Sequence, residues 1–455
     1  MSPTNEIPLH IAICGGGIGG LSLALVLQTF AGNKLLKVDL YEADAIFSEV
    51  GAGISVWHRT RYILRQLGAE EGLRNKAVSP PLNVRKSDMD EGFTFTQLRA
   101  PGNIGSTTLP RIELVYLLLE RLSAGVGTQA DLLTTHFSKR LTSYQVDSNG
   151  VILQFQDGST THADVLIGAD GIGSPTRKTM YTHLAERVRA TDSERAEFYL
   201  NHTLPIWTGI YVYRFLVDAE RIRAVKPTHL SLADGTAWCA YGSHSVTYPI
   251  SAISINASVC FNTPDGYGKP LTGSAGAPAS KEEVVKLVKD QEDDLRLLAE
   301  NAEDVIRWSL SQVRPLPQYV EGRVALLGDA AHAMIPFLGA GAGQAIEDAF
   351  ILGHILCEPS VCVDNITEAL KVYDEIRKPI ARDVADRSLK MGNLMEFHPD
   401  FLPPDADIEK VRDGDEEHLK KIAEAMQDVW SFHYSKMPDE DWDRANARLG
   451  EVLGH

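Results

Sequence analysis

The chain has 455 residues, of which 44% are hydrophobic and 23% charged, a composition typical of a globular protein that is too long for one simple core. Its formal net charge of −17 argues against nucleic acid or an anionic membrane as a partner, because both attract basic surfaces. Five scattered cysteines without a CxxC pair favour a reducing compartment, and no segment offers the roughly 18 uninterrupted apolar residues of a membrane helix, so we expect a cytoplasmic protein without membrane insertion.

The first elements form a strand, a glycine-rich turn, a helix and a second strand. Leu9 to Cys14 is predicted as a strand, Leu21 to Phe30 as a helix, and Leu36 to Tyr41 as a strand closed by Glu42. In such a βαβ unit the glycines let a pyrophosphate approach the helix N-terminus, and the acidic residue accepts bonds from the adenosine ribose. The glycines with the GxGxxG spacing are Gly15, Gly17 and Gly20. The pattern predicts a dinucleotide site.

The next segments carry two further candidate groups. An amphipathic helix is predicted from Thr108 to Leu122, with Arg111 in its first turn, where a cation opposes the helix dipole. Arg111 therefore either serves a ligand or is an ordinary surface arginine. A hairpin around Asp157-Gly158 is predicted from Leu141 to Thr161. The strand that follows ends at Asp170, whose carboxylate either contacts a phosphate-bearing ligand or stabilises a turn.

From about Arg187 to Leu316 the pattern changes to partly alternating, aromatic-rich segments, which predict a mostly antiparallel sheet that covers a substrate. Helices are predicted from Lys281 to Leu298 and from Asn301 to Trp308. After residue 350 the chain is predicted to be mainly helical, in particular over Thr367 to Ser388 and Glu416 to Phe432.

The stretch from Arg323 to Ala349 is predicted as a strand, a glycine-rich loop and a helix. The strand ends at Asp329, at the position where open α/β sheets bind ligands. Pro336 fixes the chain direction, and the glycines after it leave backbone N–H groups free to face a ligand. The helix that begins near Gln344 directs its positive dipole end to this place. A flat, electron-accepting ring that becomes anionic on reduction suits it.

These landmarks, in this order, resemble the class A FAD-dependent aromatic monooxygenases of the para-hydroxybenzoate hydroxylase fold, over about residues 8–387. The segments GRVALLGDAAHAMIPFLGAGAGQAIEDAF and VYDEIRKP are most similar to those of salicylate hydroxylases. The resemblance implies an α/β fold: a Rossmann-like FAD-binding domain of the GR2 type, an inserted mostly antiparallel substrate sheet and a helical C-terminal region. The implied segments are 8–78, 106–186 and 317–392 for FAD, 79–105 and 187–316 for the substrate, and 393–455 for an acidic C-terminal extension.

The resemblance also implies the cofactors and the residues that hold them. FAD is bound, NADH or NADPH binds transiently, and O2 is consumed through a flavin C4a-hydroperoxide that hydroxylates a small phenolic or aromatic acid. No metal ligands are expected, and the protein is expected to be a monomer or homodimer. The implied cofactor-binding residues are Gly15, Gly17, Gly20, Glu42, Ala52, Arg111, Asp170, Asp329, Gly339, Gly341 and Ala342.

The implied substrate residues lie on the inserted sheet and beside the flavin loop. Strand alternation places Tyr211 and Tyr213 on one face and Arg214 on the other. Arg214 can bind a phenolate or carboxylate with two hydrogen bonds, although a structural arginine beside core tyrosines is an open alternative. The implied catalytic residues are Arg214, Tyr213, Tyr248 and Pro336, and the implied pocket residues are Tyr211, Phe337, Leu338 and Trp57.

One departure from the family concerns Phe337. Salicylate hydroxylases have a histidine directly after the proline, and Phe337 cannot accept a proton there. The phenol is then activated by another residue, or the substrate differs from plain salicylate. The alternatives to a salicylate-type enzyme are dearomatising hydroxylation of a polyketide phenol and a flavin-binding reductase or regulatory protein. A flavin-dependent halogenase is disfavoured, because no WxWxIP-like segment is present.

Overall fold

The computed structural model describes residues 8–47, 53–73, 81–102, 104–125, 132–263, 266–269 and 276–454. Their helices are α1 (Ile18–Phe30), α2 (His58–Gln66), α3 (Arg111–Ser123), α4 (Pro175–Val188), α5 (Ser193–Leu200), α6 (Ala219–Val225), α7 (Lys281–Leu287), α8 (Asp293–Glu300), α9 (Asp329–His332), α10 (Gly341–Cys357), α11 (Ile366–Met395), α12 (Ile408–Arg412), α13 (Glu416–Trp430), α14 (Phe432–Ser435) and α15 (Pro438–Leu453). Among these described helices, none combines the length and the apolar character needed to cross a membrane.

The strands belong to four sheets. They are β1 (Leu9–Cys14), β2 (Leu36–Tyr41), β3 (Gly53–Val56), β4 (Leu82–Lys86), β5 (Phe93–Leu98), β6 (Thr107–Pro110), β7 (Leu133–His136), β8 (Leu141–Val146), β9 (Val151–Phe155), β10 (Thr160–Ala163), β11 (Val165–Gly168), β12 (Ile206–Asp218), β13 (Thr236–Ala240), β14 (Ser243–Ser251), β15 (Ser254–Asn262), β16 (Gly276–Pro278), β17 (Ala302–Gln312), β18 (Val320–Glu321) and β19 (Val324–Leu326).

The first sheet has the order β18-β19-β11-β1-β2-β7, and all its neighbours except β18 and β19 run parallel. Its central strands are almost entirely buried, because helices cover a parallel sheet on both faces. Helix α1 packs closely on α10, where a Cβ on Gly353 would lie 2.3 Å from Cγ1 of Val26. This sheet brings the carboxyl ends of β1, β2 and β11 to one edge.

The second large sheet has the order β16-β17-β12-β15-β14-β13-β4-β5 and is antiparallel except between β13 and β4. One of its faces packs on α6, α7 and α8 through an apolar cluster that includes Phe215, Trp238 and Leu298. At its β4–β5 end it packs on α11 and α13 through a second cluster that includes Met391 and Ile422. The predicted fold class is confirmed: a parallel α/β unit, a mostly antiparallel sheet and a helical C-terminal region.

One local prediction was wrong. Asn301 to Trp308 is not a helix, because Ile306, Trp308 and Leu310 alternate onto one face of β17 and the strand pairs with β12. The predicted hairpin around Asp157-Gly158 is formed by β9 and β10, and β8 extends it to a meander with a second turn after Val146.

Candidate active site

The junction of β1 and α1 has no room for a side chain at Gly15 in the turn or at Gly20 in the first turn of α1. Gly15 has a φ of +112°, and a Cβ there would lie 2.2 Å from the carbonyl oxygen of Ala169. A Cβ on Gly20 would lie 2.0 Å from the carbonyl oxygen of Gly15. On Gly17, by contrast, it would make an ordinary contact, 3.7 Å from Nη2 of Arg111. Gly17 caps α1 without a side-chain hydrogen bond and lines a cleft, so the positive end of the helix faces that cleft.

Glu42 directly follows β2 and fixes the glycine turn. Its Oε2 accepts a hydrogen bond from the backbone N–H of Gly16 at 2.8 Å, and its Oε1 accepts one from Asp44 at 2.9 Å. A carboxylate oxygen has more than one lone pair, so Glu42 can still accept bonds from ribose hydroxyls.

Asp329 and Arg111 stand on the wall of the same cleft. The Asp329 side chain is open to the cleft and follows Gly328, whose φ is +62°. Burial among the cleft walls raises the pKa of Asp329, while the charges of His332 and Arg111 oppose that rise. Arg111 begins α3 and lies near both Gly17 and Asp329. Arg111 therefore lies between the glycine turn and Asp329.

The loop 336–343 forms the next part of the wall. Gly339 has a φ of +59°, and the indole Nε1 of Trp57 donates a hydrogen bond to its carbonyl oxygen at 3.2 Å. Pro336 is exposed to the cleft, and Gly341 and Ala342 line it at the start of α10, which has no side-chain cap. The positive end of α10 is therefore available to a ligand that carries negative charge.

These features fit FAD. The glycine turn admits a pyrophosphate where a Cβ would block it, Asp329 offers a carboxylate to a ribityl chain, and the 336–343 loop offers a flat backbone wall. The cleft has a volume of about 1620 Å³, which exceeds the range of about 300–1,000 Å³ that is common for one small ligand. There is room for a flavin and for a second, aromatic molecule.

The second molecule would lie on the open face of the large sheet. Four adjacent strands present side chains in register there. Val212 of β12 lies opposite Trp308 of β17 and Cys260 of β15, and Arg214 lies opposite Ile306 and Ser258. The cleft-lining residues of these strands include Val212, Arg214 and Leu216 on β12, Ile306, Trp308 and Leu310 on β17, Asn256, Ser258 and Cys260 on β15, and His244, Val246 and Tyr248 on β14.

Tyr211 and Tyr213 do not line this cleft, in contrast to the prediction. The period-two alternation of β12 turns both away when Arg214 faces the cleft. Tyr213 packs among the helices behind the sheet, with its hydroxyl 3.4 Å from Oε2 of Glu283. The ring of Tyr211 lies under the guanidinium of Arg307, 5.0 Å from its centroid.

Tyr248 lines the cleft beside Arg214. Burial raises the pKa of its phenol, and the Arg214 charge opposes that rise. Its hydroxyl lies 3.3 Å from the position that a Cβ on Gly53 would take, so Tyr248 reaches the strand β3 on the opposite wall.

Phe337 lies against a buried histidine that the sequence did not single out. The rings of Phe337 and His244 meet edge to face, with centroids 4.6 Å apart. Nδ1 of His244 lies 2.8 Å from Oε1 of Glu396, which directly follows α11. Burial disfavours the charged imidazolium, but Cys260 and Glu396 outweigh this and raise the pKa of His244 to about 10. Strand alternation in the sequence could have predicted that His244 lies on the cleft face of β14. Its pairing with Glu396 could not be predicted, because it exists only in the tertiary structure.

The C-terminal region supports the 336–343 loop from behind. The imidazole of His433 stacks on Trp57 at 3.7 Å, and Trp430 meets Trp57 edge to face at 5.0 Å. Leu338 is buried, and its N–H donates to Oγ of Ser388 at 3.2 Å. Trp57, Leu338 and Trp430 all line the cleft.

Asp170 is placed differently from the other predicted cofactor residues that the structure describes. Asp170 accepts hydrogen bonds from Ser174 and Thr176 at the start of α4, so its carboxylate stabilises that helix, while Ala169 and Gly171 line the cleft. Ala52 lies outside the described residues.

A buried network of charges underlies α10, and sequence reasoning missed it. Arg59 of α2 binds Glu347 through two hydrogen bonds of 2.9 and 3.0 Å. Arg377 of α11 binds Asp348 at 2.7 Å and Glu347 at 3.2 Å. Asp348 also accepts from the backbone N–H of Gly328 at 3.0 Å. The network therefore ties α10 to the turn that carries Asp329.

Comparison with known proteins gives a consistent result. The model of the family described as FAD binding domain matches residues 9–388. A salicylate hydroxylase of Pseudomonas putida is 31% identical over 98% of this chain and 96% of its own length. The 6-methylsalicylate 1-monooxygenase of Aspergillus terreus is 31% identical over 94% and 90%, respectively. A solved salicylate hydroxylase substrate complex superposes with a TM-score of 0.78 at 28% identity, covering 96% of this chain and 98% of that one.

Proposed function

We propose that the chain, a class A flavoprotein monooxygenase that belongs to the FAD-binding domain family, hydroxylates a phenolic aromatic acid of the salicylate type. The reaction would use NADH or NADPH and O2. The observation that carries the proposal is the position of Arg214. It is a cation on the cleft face of the large sheet, in the same cleft as the 336–343 loop and the start of α10.

The residues divide the work between the cofactor and the substrate. Gly17, Glu42, Arg111 and Asp329 would hold FAD along the edge of the parallel sheet. The chemistry that FAD supplies when bound is acceptance of a hydride from the nicotinamide and activation of O2 for transfer to the ring. The start of α10 would stabilise negative charge on the reduced ring, because its N–H groups are fixed in place before the reaction.

Arg214 would orient the substrate through its carboxylate or phenolate. A guanidinium forms two parallel hydrogen bonds with a carboxylate and is charged at any working pH. Tyr248, next to it, presents a phenol that its surroundings keep neutral and able to donate a hydrogen bond. Loss of CO2 and formation of a catechol would follow if the carboxyl-bearing carbon is the one hydroxylated.

A second candidate function is hydroxylation of a bulkier phenol, with or without loss of aromaticity. Two observations favour it: Phe337 replaces the histidine of salicylate hydroxylases, and an apolar cluster packs on one side of its ring. Ile210, Val212 and Cys260 form one cluster with Leu310 and Phe337. A reductase or regulatory flavoprotein is the third candidate, and it would form no hydroxylated product.

The test is oxidation of NADH and NADPH by FAD-loaded protein with a panel of phenols and identification of the products. The panel contains salicylate, 3- and 4-hydroxybenzoate and alkylated resorcinols. Catechol from salicylate supports the first candidate, and turnover of a bulkier phenol alone supports the second. If no phenol is hydroxylated although NAD(P)H reduces the flavin, the monooxygenase proposal is refuted.

Arg214→Met separates the role of this cation from a structural one. Loss of hydrogen bonds to a charged group should raise the KM for an acidic substrate about 10- to 100-fold. Arg307→Met is the matched control, because Arg307 lies on the opposite face of the same sheet. An unchanged KM in Arg214→Met would remove Arg214 from substrate binding.

A further inference from the structure

The outer part of the cleft carries three apolar side chains that water can reach. Leu216 is 38% exposed, Ile306 40% and Trp308 38%. They lie on the neighbouring strands β12 and β17, and all three line the cleft. We call these residues the outer apolar face.

Strand register joins the outer apolar face to Arg214. Ile306 lies directly opposite Arg214 across the strand pair, and Trp308 lies opposite Val212, two residues earlier. Leu216 lies two residues after Arg214 on β12, on the same face of the sheet. The guanidinium therefore has apolar neighbours on both β12 and β17.

The Trp308 side chain is held rather than free. A Cβ on Gly276 of β16 would lie 3.0 Å from two carbons of the Trp308 ring, so the glycine lets the strand lie directly on the indole. A large ring fixed in this way offers a flat contact that a ligand need not order on binding.

The inner wall defines the direction in which a substrate extends. Val212, Leu310 and Phe337 pack together at the end of the sheet next to the 336–343 loop, where the reacting ring would lie. Along β12, Arg214 stands between Val212 of this inner wall and Leu216 of the outer apolar face. On β17, Ile306 lies level with Arg214 and Trp308 lies level with Val212. A plain hydroxybenzoate held by Arg214 would fill the inner part and leave the outer face in water.

We propose that the outer apolar face is a subsite for an apolar substituent, an alkyl chain or a second ring, on the aromatic substrate. The inference rests on the proposed function and narrows its substrate class. Exposed apolar side chains that cluster at a cleft mark ligand contacts more often than isolated ones do. Burial of the substituent would remove both its own apolar surface and that of the three residues from water.

The experiment measures how affinity depends on the length of the substituent. FAD-loaded protein is titrated by calorimetry with 6-alkylsalicylates and 5-alkylresorcinols in which the alkyl group runs from hydrogen to pentyl. Each methylene buried on the outer apolar face should lower Kd about two- to fourfold in at least one series. A heat-capacity change of binding that becomes more negative as the alkyl group lengthens would show that apolar surface is buried.

Variants locate the effect. Ile306→Ala and Leu216→Ala should flatten the dependence on chain length and leave the Kd of the unsubstituted compound within about twofold. Trp308→Ala should also flatten the dependence on chain length. Ile253→Ala is the control, because this residue is 67% exposed in the turn between β14 and β15 and does not line the cleft. It should leave the dependence unchanged.

Two failures are distinguishable. If the unsubstituted compounds bind and are hydroxylated but chain length has no effect, or if the effect survives in the Ile306 and Leu216 variants, the subsite is refuted and the function stands. If no member of either series binds, the substrate class and the subsite are refuted together.

Discussion

The charge network below α10 gives the sharpest prediction, and Arg59→Met tests it. Arg59 is 2% exposed and contacts two carboxylates, those of Glu347 at 2.9 Å and Asp441 at 3.1 Å, as well as the carbonyl oxygen of Lys436. Methionine fills a similar volume but leaves both carboxylates without this cation. Because Glu347 lies in α10 and Asp441 in α15, the change also removes an ionic link between α10 and the C-terminal helix.

The expected loss of unfolding free energy depends on the cations that remain next to each carboxylate. Removal of one partner from a buried ion pair costs about 3–5 kcal/mol, since the other charge stays buried. Glu347 keeps Arg377 at 3.2 Å, and Asp441 keeps Arg444 at 2.6 Å. We therefore expect a loss at the lower end, about 3 kcal/mol in the free energy of unfolding.

The assay is urea unfolding of the FAD-loaded protein, followed by circular dichroism and flavin fluorescence. Arg65→Met is the matched control, because Arg65 lies on the same helix and pairs with Glu70 at 2.6 Å, but its side chain is 61% exposed. An exposed pair contributes at most about 1 kcal/mol. If Arg59→Met lowers the unfolding free energy no more than Arg65→Met does, the buried network does not stabilise the fold.

Two further predictions concern the glycine turn and His244. Gly17→Ala should leave the unfolding free energy of the FAD-free protein nearly unchanged, because its Cβ would make only an ordinary contact of 3.7 Å with Nη2 of Arg111. It should weaken FAD binding at least tenfold, because Gly17 lines the cleft. Gly20→Ala should instead prevent folding, since its Cβ would lie 2.0 Å from a carbonyl oxygen. Equal FAD affinity in Gly17→Ala and the parent, measured by fluorescence titration, would argue against a pyrophosphate at this turn. The pKa of His244 is raised from 6.5 to about 10, so its contribution to stability is complete below pH 6.5 and is lost as the pH rises through 10. Glu396→Gln should therefore reduce the decline in unfolding free energy between pH 6.5 and 10, and an unchanged pH profile would contradict the assigned role of the carboxylate.

Local sequence patterns were sufficient to predict the fold class and the edge of the parallel sheet. Gly15, Gly20 and Glu42 act within one βαβ unit, so their spacing in the chain already determines their spacing in space. The same holds for Asp329 and the start of α10. Strand alternation correctly predicted that Arg214 lies on the opposite face of β12 from Tyr211 and Tyr213. Alternation alone does not tell which of these two faces lines the cleft.

The remaining parts of the site depend on contacts between distant segments. Glu396 meets His244 across 152 residues, and Arg59 meets Asp441 across 382, so neither pair leaves a periodic signal in the chain. Trp57 was placed in the pocket from family resemblance, but its support by His433 could not be predicted. The segment 301–308 is a strand because it pairs with β12. This pairing is likewise non-local, so the sequence of the segment did not reveal it and a helix was predicted.

We expect oxygen from O2 to be transferred to an aromatic substrate in the cleft beside Arg214. This transfer is tested by turnover of the FAD-loaded protein under ¹⁸O2 with NADH or NADPH and the phenol panel, followed by mass spectrometry of the products. A hydroxylated aromatic product should carry one ¹⁸O atom, and oxidation of the nicotinamide should depend on the substrate. Oxidation of the nicotinamide that yields only peroxide, with no labelled product from any phenol, would show that no oxygen transfer takes place.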